Sequence, residues 1–498
     1  KSNQTPDEII PYISEYSLFH LDYENIQKAL KNTPEEFSKK TGKYVTFPMP
    51  NGDIEGFHVY HSPIMEPGLQ AKYPNMRNYK VIGKDNPKLQ GRIGVSISGF
   101  HASINTPEGR FYIDRYSSDS NSEYAVYYTK NYTKDQSSLP ACGVSGTESE
   151  KYLEEFDLDN IEAESAQIRT RTPEGEVTLR TYRCAIACTG EWGTVKGGTV
   201  ESALAAVNQS VSKINEIFEY EVAIRMVLVE DNDKLMHLNG ATDPYQNPTQ
   251  GAELIGQNTA AVSQIIGFGS FDIGHVYTVG CSDVGGIASL SSVCGAGKGN
   301  GVTCHYSSNI DLISIRVACH EMGHQFSAPH TFNHCDGENE STSSGYEPGS
   351  GHTIMSYAGG CGQALNVADA PYPYFHGHSV MRMVNFSQEG NGDQCASYIE
   401  TSNTHPVITL PYTDGFYVPI STPLLLEATA EDAENDALTY SWEQFDIGPL
   451  TIPGEPVLEA PQFVSEVPNE TPERFLPALT KILQNQYDKT EVLPFYDR

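Results

Sequence analysis

The stretch His320-Glu321-Met322-Gly323-His324-Gln325-Phe326-Ser327-Ala328-Pro329-His330 constrains this chain more than any other. Apolar spacing predicts a helix over 309–326, with Asn309 or Asp311 able to cap it. On that helix His320 and His324 stack on one face, one turn apart, as two ligands of a single zinc ion would. Glu321 follows the first histidine and reaches a water at the metal, where it would serve as general base. Ser327 and Pro329 then break the helix, and His330 returns after the break. Three histidines leave a fourth position open, the pattern of a catalytic site rather than a structural one.

The rest of the chain divides into four segments. Residues 1–144 alternate short apolar runs, such as Tyr44-Val45-Thr46-Phe47 and Arg110-Phe111-Tyr112-Ile113, with turns at Pro50-Asn51-Gly52 and Pro107-Glu108-Gly109. That is strand-and-turn patterning. Residues 145–177 are polar and acidic, with Arg169 and Arg171 towards the far end, and read as a linker. From 178 to 400 the pattern runs strand (179–189), helix (199–218), strand (222–229), helix (251–266), strand (273–279). Such alternation implies an α/β domain with a mostly parallel twisted sheet. After Ser327 the chain is rich in Gly, Pro, Ser and Asn up to Gly377, an irregular lower subdomain. Residues 405–498 return to β patterning. Leu424-Leu425-Leu426 and the run from Ala437 to Trp442 suggest an immunoglobulin-like β-sandwich with too few strands to close, and hence a truncated domain.

Composition narrows the class. Of 498 residues, 38% are hydrophobic and 19% charged, a globular balance. The formal net charge of -32 repels nucleic acid and anionic lipid, so neither is expected as a partner. No window is apolar enough to span a membrane. The N-terminal Lys1-Ser2-Asn3-Gln4 has no signal core, so a leader was either never present or removed. An acidic surface also suits calcium. The run Glu431-Asp432-Ala433-Glu434-Asn435-Asp436 is either a Ca2+ chelating loop or a solvated turn. Nine of ten cysteines lie between Cys184 and Cys395, which suggests a disulfide-stapled, exported domain. Cys142 stands apart in Leu139-Pro140-Ala141-Cys142-Gly143-Val144.

The pattern HExxHxxxxxH resembles the metzincin zinc signature, and Met355 in Gly351-His352-Thr353-Ile354-Met355-Ser356-Tyr357 resembles the Met-turn beneath the metal. Within the metzincins, His330-Thr331-Phe332-Asn333, the stretch from Gly285 to Cys294, and Met355-Ser356-Tyr357-Ala358-Gly359 are similar to bacterial reprolysin-like enzymes. Pappalysin-like enzymes share the His-Thr-Phe and are the nearest rival; a non-catalytic zinc-binding adhesion protein is a further alternative. The resemblance implies a secreted zinc endopeptidase acting on proteins or peptides. It implies Zn2+ on His320, His324 and His330, with Glu321 as base and Tyr357 near the metal or the oxyanion. Tyr357 is otherwise a packed core residue. The neighbourhood of Cys142 resembles a cysteine switch, in which 1–144 is an inhibitory pro-domain, Cys142 is the fourth zinc ligand and an activating protease cuts the linker. The other reading of Cys142 is a structural disulfide or buried thiol. The resemblance also implies the pairs Cys294–Cys395 and Cys335–Cys361. One departure stands out: the family's glycine after the second histidine is here Ser327, which at a left-handed backbone costs about 1 kcal/mol.

Overall fold

The computed structural model describes residue 6 and residues 10–117, 121–131, 142–144, 175–304, 313–335, 339–412, 417–455 and 460–493. The N-terminal part is an antiparallel sheet of eight strands in the order β1-β8-β7-β6-β5-β4-β3-β2. They are β1 Ser17–His20, β2 Lys43–Pro48, β3 Ile54–His61, β4 Arg77–Gly83, β5 Gln90–Ser96, β6 Gly99–Asn105, β7 Phe111–Arg115 and β8 Glu123–Tyr128. The alternation read from the sequence sets its two faces. Ile93, Ala102 and Ile113 pair across β5, β6 and β7 and join Phe57, Phe100 and helix α1 (Tyr23–Leu30) in a core of their own. The opposite face carries Arg92, His101, Ser103 and Asp114, and these are buried too.

What buries them is the long helix of the next part. That part is a sheet in the order β10-β9-β11-β13-β12, with β14 added to β9. Its strands are β9 Glu176–Cys188, β10 Ile224–Leu228, β11 Ile273–Thr278, β12 Gly286–Ala288, β13 Gly301–Cys304 and β14 Ser397–Thr404. The pairs β10/β9, β9/β11 and β11/β13 are parallel; β12 and β14 run antiparallel to their neighbours. Helices α2 (Pro67–Lys72), α3 (Gly190–Val195), α4 (Val200–Val222) and α5 (Gly251–Ile266) surround it. In α4, Thr199 and Ser202 cap the start reciprocally, and Leu204, Val207, Val211, Ile214 and Phe218 face the sheet. The other side of α4 meets the N-terminal sheet through ion pairs. Arg92 Nη1 donates to both oxygens of Glu219 at 2.9 and 3.0 Å, and Arg110 Nη2 donates to Glu216 at 3.1 Å. Lys213 Nζ lies 3.3 Å from Asp114. Asn78 and Asn208 exchange amide hydrogen bonds at 3.0 Å.

Of the predicted helix at 309–326, the described residues are helical from Ile313 to Gln325. A π-type turn, Ile313–Ala318, leads into helix α6, Cys319–Gln325, while Asn309 and Asp311 lie outside the described residues. Nearly all the predicted linker, including Arg169 and Arg171, also lies outside them. From 327 to 376 the described chain has neither helix nor strand, as expected, until α7 (Gly377–Gln388). The disulfides are Cys294–Cys395 and Cys335–Cys361, the two that the resemblance implied, and Cys281–Cys304.

The C-terminal part departs from expectation. Leu424–Leu426 is a strand, but the run from Ala437 to Trp442 is not; only Tyr440 bridges, to Asn469. Among the described residues this part holds two two-stranded ladders and builds no closed sandwich. Its polar groups are spent on the lower subdomain instead. Thr451 N donates to Asn333 at 3.0 Å, His352 Nδ1 to Ser465 O at 2.7 Å, and Gly377 N to Glu443 at 2.6 Å. The segment is a strap, and a strap that donates and accepts through its backbone cannot also use that backbone in a ladder.

Candidate metal centre

Helix α6 carries His320 and His324 on one face, and the chain reverses immediately after it. The reversal is made by Ser327, whose φ is +83°, in the left-handed region. Serine tolerates this position with help from Arg382, whose Nη2 donates to Ser327 Oγ at 3.2 Å. The turn brings His330 back to the first two histidines. Each imidazole is fixed from behind: His320 Nδ1 to Ile354 O at 2.7 Å, His324 Nδ1 to Ala328 O at 2.7 Å, and His330 Nδ1 to Asn339 O at 2.9 Å. A carbonyl only accepts, so each Nδ1 carries the proton and each Nε2 is a bare lone pair.

The three Nε2 atoms then approach one another to 3.1, 3.2 and 3.2 Å. With no proton on any of them, these contacts are not hydrogen bonds. Three converging lone pairs repel unless a cation sits among them. The spacing is close to the roughly 3.3 Å edge of a tetrahedron whose metal–nitrogen bonds are about 2.0–2.1 Å. Imidazole donors of this kind suit zinc, so the residues present fit the metal. Burial holds His320 down to about 4 and holds His324 and His330 well below the usual imidazole range, so all three are neutral and ready to ligate at physiological pH.

Cys142 completes the group. Its sulfur and the three imidazole nitrogens all lie within 4.8 Å of one another, and all four residues are buried. Cys142 is a free thiol, which removes the structural-disulfide alternative. Its segment lies along strand β12 in parallel sense, with Gly143 N donating to Gly286 O at 2.8 Å. A Cβ on either glycine of this contact would crowd a neighbouring side chain. A side chain on Gly143 would meet Ile287 at 2.8 Å, and one on Gly286 would meet the Glu321 carboxylate at 2.4 Å. Burial and the neighbouring Glu321 push the Cys142 thiol well up; a cation held by the histidines would oppose that shift and favour the thiolate.

Glu321 is 1% exposed, and Cys142 Sγ donates to it at 3.5 Å. Burial pushes its carboxyl up to about 8, a value suited to a group that must take and return a proton. Met355 is fully buried beneath α6, its sulfur 2.6 Å from where a Cβ on Gly323 would stand. Tyr357 packs against Phe332, with ring centroids 4.3 Å apart, and donates its hydroxyl to the carbonyl of Cys142 at 3.0 Å. It is thus both a packed tyrosine and a donor at the site.

Two contributors escaped the sequence reading. Asn339 Nδ2 donates to the same Cys142 carbonyl at 2.8 Å, and its own carbonyl steadies His330. Glu347, 1% exposed, accepts from the hydroxyls of Thr331 and Thr353, both at 2.6 Å, and from the N–H groups of His352 and Thr353. It ties the residue after His330 to the Met-turn. Neither lies at a motif spacing; the one available signal is a lone acid among Gly, Ser and Pro. The acidic run 431–436 is used locally: Asp432 Oδ1 accepts from Glu434 N at 3.0 Å and Asp436 N at 2.7 Å. Among the described residues it forms no second cluster able to hold a metal.

Residues 178–387 match the family model described as Metallo-peptidase family M12B Reprolysin-like. The crystal structure of metalloproteinase-II from Bacteroides fragilis aligns with 11% identity and a TM-score of 0.37, covering 73% of this chain and 96% of that one. No curated protein matches the chain. No helix among the described residues is long and apolar enough to cross a membrane. That match over residues 178–387 supports reading this stretch as similar to the reprolysin-like metallopeptidases of family M12B, and with it a zinc metalloendopeptidase.

Proposed function

We propose that this chain is the latent form of a secreted endopeptidase. In this reading 1–144 is the pro-domain, 145–177 the activation linker, 178–400 the catalytic domain and 405–498 an accessory segment. His320, His324 and His330 hold the zinc ion, Glu321 is the general base and Cys142 closes the fourth position. The observation that carries the reading is the meeting of the Cys142 thiol with three unprotonated Nε2 atoms within 4.8 Å. A thiol aimed at three lone pairs is a complete zinc donor set, and a closed set has no room for water.

Zinc, when bound, polarises the scissile carbonyl and lowers the pKa of a water. The chain's residues do the rest. Glu321 takes the proton of the attacking water and returns it to the leaving amine. Tyr357 and Asn339 now spend their donors on the Cys142 carbonyl. With that segment gone, the same two donors face a substrate carbonyl as it gains charge. The carbonyl of Ile354 keeps His320 in place, and Met355 packs beneath Gly323 of the same helix. Three disulfides support an oxidising, extracellular destination. Arg169 and Arg171 offer the linker to a trypsin-like activating protease, whose cut is the first step of activation.

The test uses an internally quenched peptide with blocked ends, which an aminopeptidase or an adhesion protein leaves intact. The uncut chain is expected to be inert and its Cys142→Ala variant active without added protease. Adding Glu321→Ala to that variant should lower the rate by roughly 10²–10⁴ and leave the zinc content unchanged. A Cys142→Ala chain as inert as the parent would overturn the switch; an active Glu321→Ala enzyme would overturn the base.

A further inference from the structure

Cys142 lies on the N-terminal side of the linker. A cut anywhere in 145–174 leaves it covalently joined to the N-terminal β domain. What happens to the thiol after such a cut depends on what holds that domain in place, and the linker is only part of it.

The contact with the catalytic domain has three components, none of which involves the linker. The first is apolar. Ile64, Met65, Leu69 and Tyr127 of the N-terminal domain belong to the same buried cluster as Leu204 and Leu228 of the catalytic domain. The second is a backbone join. Strand β10 is the edge of the catalytic sheet, and residues 64–66 cover it: Leu228 N donates to Ile64 O at 2.8 Å and Glu66 N to Leu228 O at 2.8 Å. An edge strand stripped of such a partner exposes unpaired N–H and C=O groups. The third is the ion-pair seam on α4, where Arg92, Arg110 and Lys213 are each at most 3% exposed along the side chain. Their partners Glu219, Glu216 and Asp114 lie on the opposite domain in every case. Glu219 also keeps Arg225 of its own domain at 2.6 Å, but Arg92, Arg110 and Asp114 each lose a buried partner when the domains part, and uncovering such charges is costly.

We infer that cutting the linker does not release the N-terminal domain: the nicked chain persists as a two-fragment complex in which Cys142 still closes the histidine site. Tethering gives the thiol its high effective concentration, and that tether runs through the docked domain, not through the linker. Latency then ends only when the N-terminal domain itself is displaced or degraded. This inference rests on the proposal that Cys142 is the inhibitory group.

The experiment cuts the full chain at the linker arginines with limiting trypsin. The products are followed by size-exclusion chromatography at micromolar protein and by peptide cleavage. The fragments are expected to co-elute, with activity within a few-fold of the uncut chain. Extended digestion that removes the N-terminal fragment should then raise activity by at least roughly 10²-fold, the lower end of the gain that tethering gives a contact. Arg110→Glu sets two carboxylates face to face at Glu216. Its nicked form is expected to separate on the column and to be active, while its uncut form stays inert. Fragments that separate, or that co-elute with full activity, after a linker cut of the parent chain overturn the inference. The separate failure of the switch itself reads differently: the uncut Cys142→Ala chain would then be inert, whatever the fragments do.

Discussion

Removing the Glu347 carboxylate should loosen the floor of the metal site. This side chain accepts four hydrogen bonds while 1% exposed. Truncation in Glu347→Ala leaves two hydroxyls and two N–H groups facing a void. The hydroxyls of Thr331 and Thr353 are already 3.5 Å apart and can turn towards each other. The N–H groups of His352 and Thr353 have no such recourse. Each orphaned buried donor costs about 1–3 kcal/mol, so the variant should lose about 4 kcal/mol. For a catalytic domain of this size that is a fall of roughly 8–16 °C in melting temperature. Glu347→Gln separates this mechanism from a general dislike of mutation. Its amide oxygen can serve the two N–H groups, and its NH2 can donate to the two hydroxyls after they rotate. The expected loss is about 1 kcal/mol, the difference between a charged and a neutral acceptor. Thermal unfolding of the zinc-loaded chain checks both numbers. If Ala and Gln prove equally mild, Glu347 does not anchor the Met-turn, and the stability of that turn lies elsewhere.

Three further expectations follow from the geometry. Gly323→Ala places a methyl 2.6 Å from the Met355 sulfur, which must shift together with the Ile354 carbonyl that holds His320; zinc affinity measured against a chelator should fall about 10–100-fold, and an unchanged affinity would dissolve the link between the Met-turn and the ligands. At Ser327, with φ +83°, the Gly variant should be more stable than the Ala variant by about 1 kcal/mol in denaturant titrations, since both lose the Arg382 contact and only alanine keeps the left-handed strain; equal midpoints would refute the strain. Burial, with Lys213 and Arg92 opposing its charge and Asp114 favouring it, holds His101 down to about 3 from 6.5. Between those values the unfolded chain takes up a proton that the folded chain refuses. Stability is therefore full above pH 6.5 and declines as pH falls towards 3, by about 2 kcal/mol at pH 5; His101→Leu should flatten that part of the pH profile, and an unaltered profile would show that another group carries it.

What the sequence determined by itself was chemistry written at short range. Helix α5 begins and ends where its apolar spacing said, at Gly251 and Ile266. The two histidines four apart, the break at Ser327 and the return of His330 follow from one turn of helix and one forced reversal, and Ser327 does take the left-handed backbone that glycine takes in the family. Such features depend on dihedral angles and on neighbours within a few residues, so any fold containing the segment inherits them. Other things were decided only by the tertiary structure. The alternating runs of 1–144 read as strand-and-turn patterning, and the polar face of such strands ordinarily meets water. Here Arg92, His101 and Asp114 lie beneath helix α4, where Glu219 and Lys213 present charges matching Arg92 and Asp114 from 127 and 99 residues away. The run from Ala437 to Trp442 has the composition of a strand, yet among the described residues only Tyr440 bridges, to Asn469, and the Trp442 carbonyl accepts from the Arg474 side chain instead. The carbonyls of Ile354, Ala328 and Asn339, which decide which nitrogen each ligand offers, leave no trace in residue identity at all, since every residue has one. Local steric preference is encoded residue by residue, but complementarity between distant surfaces is a property of pairs, and a single chain read from end to end shows only one member at a time.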